Sequence, residues 1–112
     1  MLTFRDFKDG PAGDLCDRVG MPLVNLPSWQ SFASSFQMIN KRSDGDLVDR
    51  LMRFPASSGE VGLIMAILHA ADYSSCADEI GKNYTWHWLR SVRDEYAEAV
   101  AAAIIRSDAV GS

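Results

Sequence analysis

A chain of 112 residues with only two cysteines, Cys16 and Cys76, and no CxxC pair lacks the material for a disulfide-stapled scaffold. Its thiols are expected to be reduced. Cations are also short: 11 basic residues face 15 acidic ones, for a formal net charge of −4, and only Lys41-Arg42 sets two side by side. Proteins that grip duplex nucleic acid usually carry a basic excess or stripe, so a nucleic-acid partner ranks low. The longest apolar run, from Val61 to Ala71, is interrupted by Gly62 and His69 and is too short to span a bilayer. Met1 to Phe7 carries Arg5 and Asp6 where a secretory leader needs an apolar core. These absences predict a cytoplasmic protein that does not enter a membrane, and they leave the Asn83-Tyr84-Thr85 glycosylation triplet without meaning.

Catalytic punctuation is equally scarce. There is no GxSxG elbow and no GxxxxGK[ST] phosphate loop. The acidic trio Asp44, Asp46 and Asp49 lacks the ligand order and closing Glu of a calcium loop, and helix capping accounts for it. No stretch alternates apolar and polar residues with β-branched enrichment, which argues against a sheet.

What is present is helical periodicity. A hydrophobic fraction of 47% with 23% charged residues matches an ordinary globular chain of one domain. The expected fold is all-α: a compact bundle of four to five helices spanning residues 1–112, with residues 1–27 as an irregular N-terminal segment packed on it. Within that segment Phe4 and Phe7 anchor a short turn broken at Gly10-Pro11, Asp14 to Val19 make a brief helix stopped by Gly20, and Pro22 to Pro27 run extended across the core.

The first clear helix is capped by Ser28 and carries Trp29, Phe32, Ala33, Phe36 and Ile39 along one face until Asn40 to Arg42 end it. Ser43-Asp44-Gly45-Asp46 resembles a capping box ahead of Leu47, Val48, Leu51 and Met52, with Phe54-Pro55 as the stop. Ser57-Ser58-Gly59-Glu60 is a full S-x-x-E capping box, and the helix behind it is apolar on every side, as a central helix must be. That helix runs on to Ile80 or breaks near Ser74-Ser75. The last helix is read from a Thr85 cap, with Leu89, Val92, Tyr96, Ala99 and Ala103 in a stripe widened by Val100 and Ile104, and a solvated face of Arg90, Arg93, Asp94 and Glu98.

Two constellations could carry chemistry. His69, Asp72 and Cys76 fall at i, i+3 and i+7, one stripe of a continuous helix, and His87 or Cys16 could complete a zinc set or a thiol site. Seven residues rise about 10 Å along a helix, so His69 and Cys76 cannot share a hydrogen bond on a straight one. The plainer reading is core packing beside Val61, Met65 and Ile80. The second is Tyr84-Thr85-Trp86-His87-Trp88, whose two tryptophans would point about 200° apart on a helix and so cannot both enter one core.

The leading functional expectation is a non-enzymatic helical module that binds protein, most simply a second copy of itself, in the manner of a small bacterial accessory or regulatory protein. Trp86, Trp88, Tyr96, Val100 and Ile104 are its candidate contact residues, with no catalytic residue, no metal and no cofactor. The first alternative is a small metal-binding or thiol-dependent enzyme using His69, Asp72, Cys76 and His87. The second is a nucleic-acid-binding helical domain, with Arg50 and Arg53 offset by Asp44, Asp46 and Asp49.

Overall fold

The computed structural model describes residues 3–80, 82, 88 and 92–106. Among them the chain forms seven helices and no strand: α1 (Phe4–Asp9), α2 (Pro11–Arg18), α3 (Trp29–Arg42), α4 (Asp46–Arg53), α5 (Ser58–Ala70), α6 (Ser74–Ile80) and α7 (Asp94–Ile105). The all-α expectation holds, but four to five helices is an undercount, and the N-terminal segment is not irregular. Thr3 caps α1 through a reciprocal box with Asp6, and Pro11 opens α2 at a position where its missing N–H costs nothing. The two helices turn so sharply that a Cβ on Gly13 would collide with the Lys8 carbonyl. Between prolines 22 and 27 the chain is not fully extended either. It turns at Val24-Asn25, and Lys8 Nζ secures the turn by donating to the Leu26 carbonyl at 2.9 Å.

Ser28 and Ser57 cap α3 and α5 as their sequences imply. Ser43 does not cap α4. Its hydroxyl donates back to the Ile39 carbonyl at 2.9 Å, and Gly45, with φ +86°, takes the N-cap position without a side-chain bond. The capping acceptor comes from the previous helix: the Val48 N–H donates to Asn40 Oδ1 at 3.0 Å, while Asn40 Nδ2 donates to the Tyr73 hydroxyl at 3.3 Å. One side chain thus ties the end of α3, the start of α4 and the turn after α5.

Three helices stop in the same way. In α2, α3 and α5 the third residue past the last helical one donates its N–H five residues back, at 2.7 to 2.8 Å: Met21 to Cys16, Gly45 to Asn40, Tyr73 to Leu68. This is the Schellman closure, which needs a left-handed residue in between. Gly20 supplies it with φ +89°; Asp44 and Asp72 supply it with φ +57° and +68°. Asp72 therefore ends α5, earlier than either expected boundary, and α6 begins as a separate helix.

One apolar cluster joins all seven helices. At one end Phe4 and Phe7 meet Trp29 and Phe32, with ring centroids 4.9 to 6.0 Å apart, and Phe36 and Tyr73 extend the aromatic series. Such pairs are worth about 0.5–1.5 kcal/mol each beyond area burial. Leu63 to Leu68 of α5 are all buried, packed chiefly against α6 and α7 and touching α2 and α4. The Cα radius of gyration, 12.6 Å, matches the roughly 13 Å expected of a compact chain this long.

Candidate functional site

The break at Asp72 separates the three residues that a continuous helix would have aligned. His69 sits in the last turn of α5, half-buried, and its Nδ1 shares a 2.9 Å hydrogen bond with Ser74 Oγ. Asp72 is exposed in the turn, and Cys76 lies on α6 against the core. Among the described residues no three His, Cys, Asp or Glu side chains come together in a way that could hold a metal ion. His87 lies outside the described residues. Cys16 is buried on α2, and burial pushes its thiol up to about 12, the opposite of what a nucleophile requires.

Electrostatic preparation is slight elsewhere. No polar or charged residue among those described is buried. Among the described residues Asp6 is the other shifted group: the Thr3 backbone N–H donates to its carboxylate at 3.1 Å and holds it below its ordinary value. Active sites gather shifted acids and bases in clefts, whereas this shift belongs to an exposed helix cap. On α4, Arg50 pairs with Asp46 and Arg53 with Asp49, so each cation is answered one turn earlier. Arg50 also reaches the Val19 carbonyl at 2.9 Å, a tie between α4 and the end of α2.

The grooves are open and mixed in character. One of about 310 Å³ lies between α3 and the ends of α5 and α7, bordered by Gln30, Ser34, Gln37, Asp72 and Arg106. Its Gln37 amide already donates to the Ala71 carbonyl at 3.1 Å. Another, of about 240 Å³, is rimmed by Asp6, Asp9, Glu95 and Glu98.

The last helix begins later than its sequence stripe suggests. Arg93 is extended (φ −141°, ψ 159°) and α7 starts at Asp94, so Val92 does not share its stripe; Thr85 and Leu89 lie outside the described residues. Val92 packs over α5 instead, where a Cβ on Gly62 would come within 2.7 Å of its Cγ1. Of the candidate contact residues, Val100 is only 4% exposed and belongs to the core. Trp88 is half-buried against the same core, and Tyr96, 37% exposed, borders a small groove with Leu15 and Leu63. Ile104 is 52% exposed and stays on the surface, and Trp86 lies outside the described residues. Ile105, which the stripe had not included, is 59% exposed beside it. With half-buried Ala97 and Ala101 these two share the outer side of α7, at i, i+4, i+7 and i+8, together with exposed Asp94 and Glu98.

No protein-family model matches the chain, and no curated protein or solved structure is significantly similar to it. No described helix is long and apolar enough to cross a membrane.

Proposed function

We propose that the chain is a non-enzymatic helical interaction module that self-associates through the outer face of α7. One observation carries this reading: the last turn of α7 keeps two large apolar side chains on the surface. Ala99, Val100, Ala102 and Ala103 fill the core, while Ile104 and Ile105 stand exposed next to each other on the far side. A helix that served only as a lid on the core would carry polar residues there along its whole length, as α7 does only in its earlier turns with Asp94 and Glu98. The interior holds no buried polar or charged residue among those described, and a binding role asks for none. A second copy is the simplest partner, since two-fold dimers are the commonest way such a surface is covered. The free thiols of Cys16 and Cys76 suit a reducing, cytoplasmic setting.

A helix of 12 residues is about 18 Å long, so pairing through α7 alone falls at the small end of specific interfaces. Association is therefore expected to be weak and concentration-dependent. Light scattering over a rising series of protein concentrations should move the mass from 12.4 kDa toward twice that value. Ile105→Glu should hold it at the monomer with the circular dichroism unchanged. A parent mass fixed at the monomer throughout the series would remove the proposal.

A further inference from the structure

Helix α5 stops before Asp72, although its apolar pattern does not. Leu63, Ala66, Ala70, Tyr73, Ala77 and Ile80 follow one another in alternating steps of three and four, the spacing of one stripe on one continuous helix. Leu63, Ala66, Ala70 and Ala77 are buried, and Tyr73 and Ile80 pack half-buried against the same core. Neither glycine nor proline occurs from Leu63 to Ile80. The break rests on Asp72 at φ +68°, a backbone region that costs any residue but glycine. We infer that this turn is a hinge: α5 and α6 straighten into one helix from Ser58 to Ile80, and two copies thereby exchange α6 and α7.

The bonds that hold the turn are replaceable. Within it the Tyr73 N–H donates to the Leu68 carbonyl at 2.7 Å, and His69 Nδ1 shares its 2.9 Å bond with Ser74 Oγ. From α3 the Gln37 amide donates to the Ala71 carbonyl at 3.1 Å, and the Asn40 amide to the Tyr73 hydroxyl at 3.3 Å. In a continuous helix the Asp72 N–H takes over the Leu68 carbonyl and the Ser75 N–H takes over that of Ala71. The left-handed residue disappears.

A lone chain cannot straighten. α5 packs chiefly against α6 and α7, so swinging α6 into line would carry both away and open Leu63 to Leu68 to water. A second copy presents the same two helices and so the same complementary surface. After the exchange these core contacts re-form between copies and the turn alone differs, an outcome that short, strained hinges favour. The exchange does not use Ile104 or Ile105, so it stands or falls apart from the α7 surface contact proposed above.

Opposite substitutions at one residue test the hinge, in an Ile105→Glu background that removes the surface contact. Asp72→Ala joins a poor left-handed residue to the best helix former, and Asp72→Gly does the reverse. Each protein, with the Asp72 parent, is unfolded in urea, refolded at high concentration and resolved by size-exclusion chromatography with light scattering. Asp72→Ala should give a peak of twice 12.4 kDa several-fold larger than the parent's, and Asp72→Gly a smaller one. Should Asp72→Ala not refold, the fall from the parent to Asp72→Gly carries the test. An exchanged dimer separates only by unfolding, so the isolated peak should keep its mass for hours after dilution. A doubled-mass peak that is equal in the Asp72→Ala and Asp72→Gly proteins, that reverts at once on dilution, or that is absent from all three would overturn the hinge.

Discussion

Helices α5 and α7 are the two most apolar of the described helices, and the fold treats them differently. α5 has neighbours on every side, so Leu63 to Leu68 are all buried. Among the described helices α7 lies chiefly against α5, α1 and α2, and Ile104 and Ile105 stand exposed. Apolar content alone does not say which helix is central. The number of neighbours decides it, and whatever apolar surface exceeds those neighbours is left for a partner. The contrast within α7 is sharper still, because Val100 and Ile105 belong to the same helix and do opposite things.

The largest expected effect exploits that contrast. Val100→Glu would bury an unpaired charge and should cost on the order of 5 kcal/mol, enough to unfold a small domain. Ile105→Glu should change the unfolding free energy by less than about 0.5 kcal/mol under monomeric conditions while abolishing association. Equal destabilisation by the two would erase the distinction between the faces of α7. Within α5, Leu68→Ala should cost about 2–5 kcal/mol, since the side chain is fully buried; an unchanged urea midpoint would take α5 out of the centre.

Core thiol chemistry gives a pH-dependent effect of intermediate size. The Cys16 thiol ionises near its ordinary value when unfolded and near 12 when folded. The folded state therefore disfavours the thiolate, so the stabilising contribution is complete below about pH 9 and is lost as pH rises toward 12. The slope is about 1.4 kcal/mol per pH unit for one fully coupled group. Subtracting the alkaline stability curve of Cys16→Ala from that of the parent isolates it, and parallel curves between pH 9 and 11 would show that Cys16 is not buried as described.

Much of the fold was legible because local chemistry and tertiary packing agreed. Ser28 and Ser57 cap their helices, Phe32 and Phe36 sit on the inner face of α3, and Gly20 ends α2 with the left-handed φ that glycine adopts without strain. The stop at Asp72 was illegible because the same left-handed position is held by an aspartate, a residue that elsewhere marks helix starts. Neither Gly nor Pro interrupts the chain between Lys82 and Ala97, so nothing local announced that α7 begins only at Asp94. Both errors had consequences for the candidate site: the first aligned His69, Asp72 and Cys76 on one helix, and the second placed Val92 on the final stripe. The cap of α4 was missed for a different reason, since its acceptor, Asn40, is the end of another helix and is set by how α3 turns into α4.

The smallest expected effect tests that account of the stops. Asp72→Gly should relieve a left-handed aspartate and raise stability by up to about 1 kcal/mol, and Asp44→Gly should do the same at the end of α3. Gly20→Ala should move the other way. Destabilisation by either aspartate replacement would mean that its carboxylate does something the Schellman closure does not explain.

The contrast between a surrounded α5 and a two-faced α7 is tested most directly by amide hydrogen exchange measured at two protein concentrations, one dilute and one high. Exchange reports the opening free energy of each segment, and binding of a partner raises it by mass action. The amides of Leu63 to Leu68 should be strongly protected at both concentrations, changing no more than the fold as a whole. Those of Ala101 to Ile105 should be less protected when dilute and gain protection as the concentration rises. Protection of α7 that is the same at both concentrations, with Ile104 and Ile105 as slow as the centre of α5, would contradict the account.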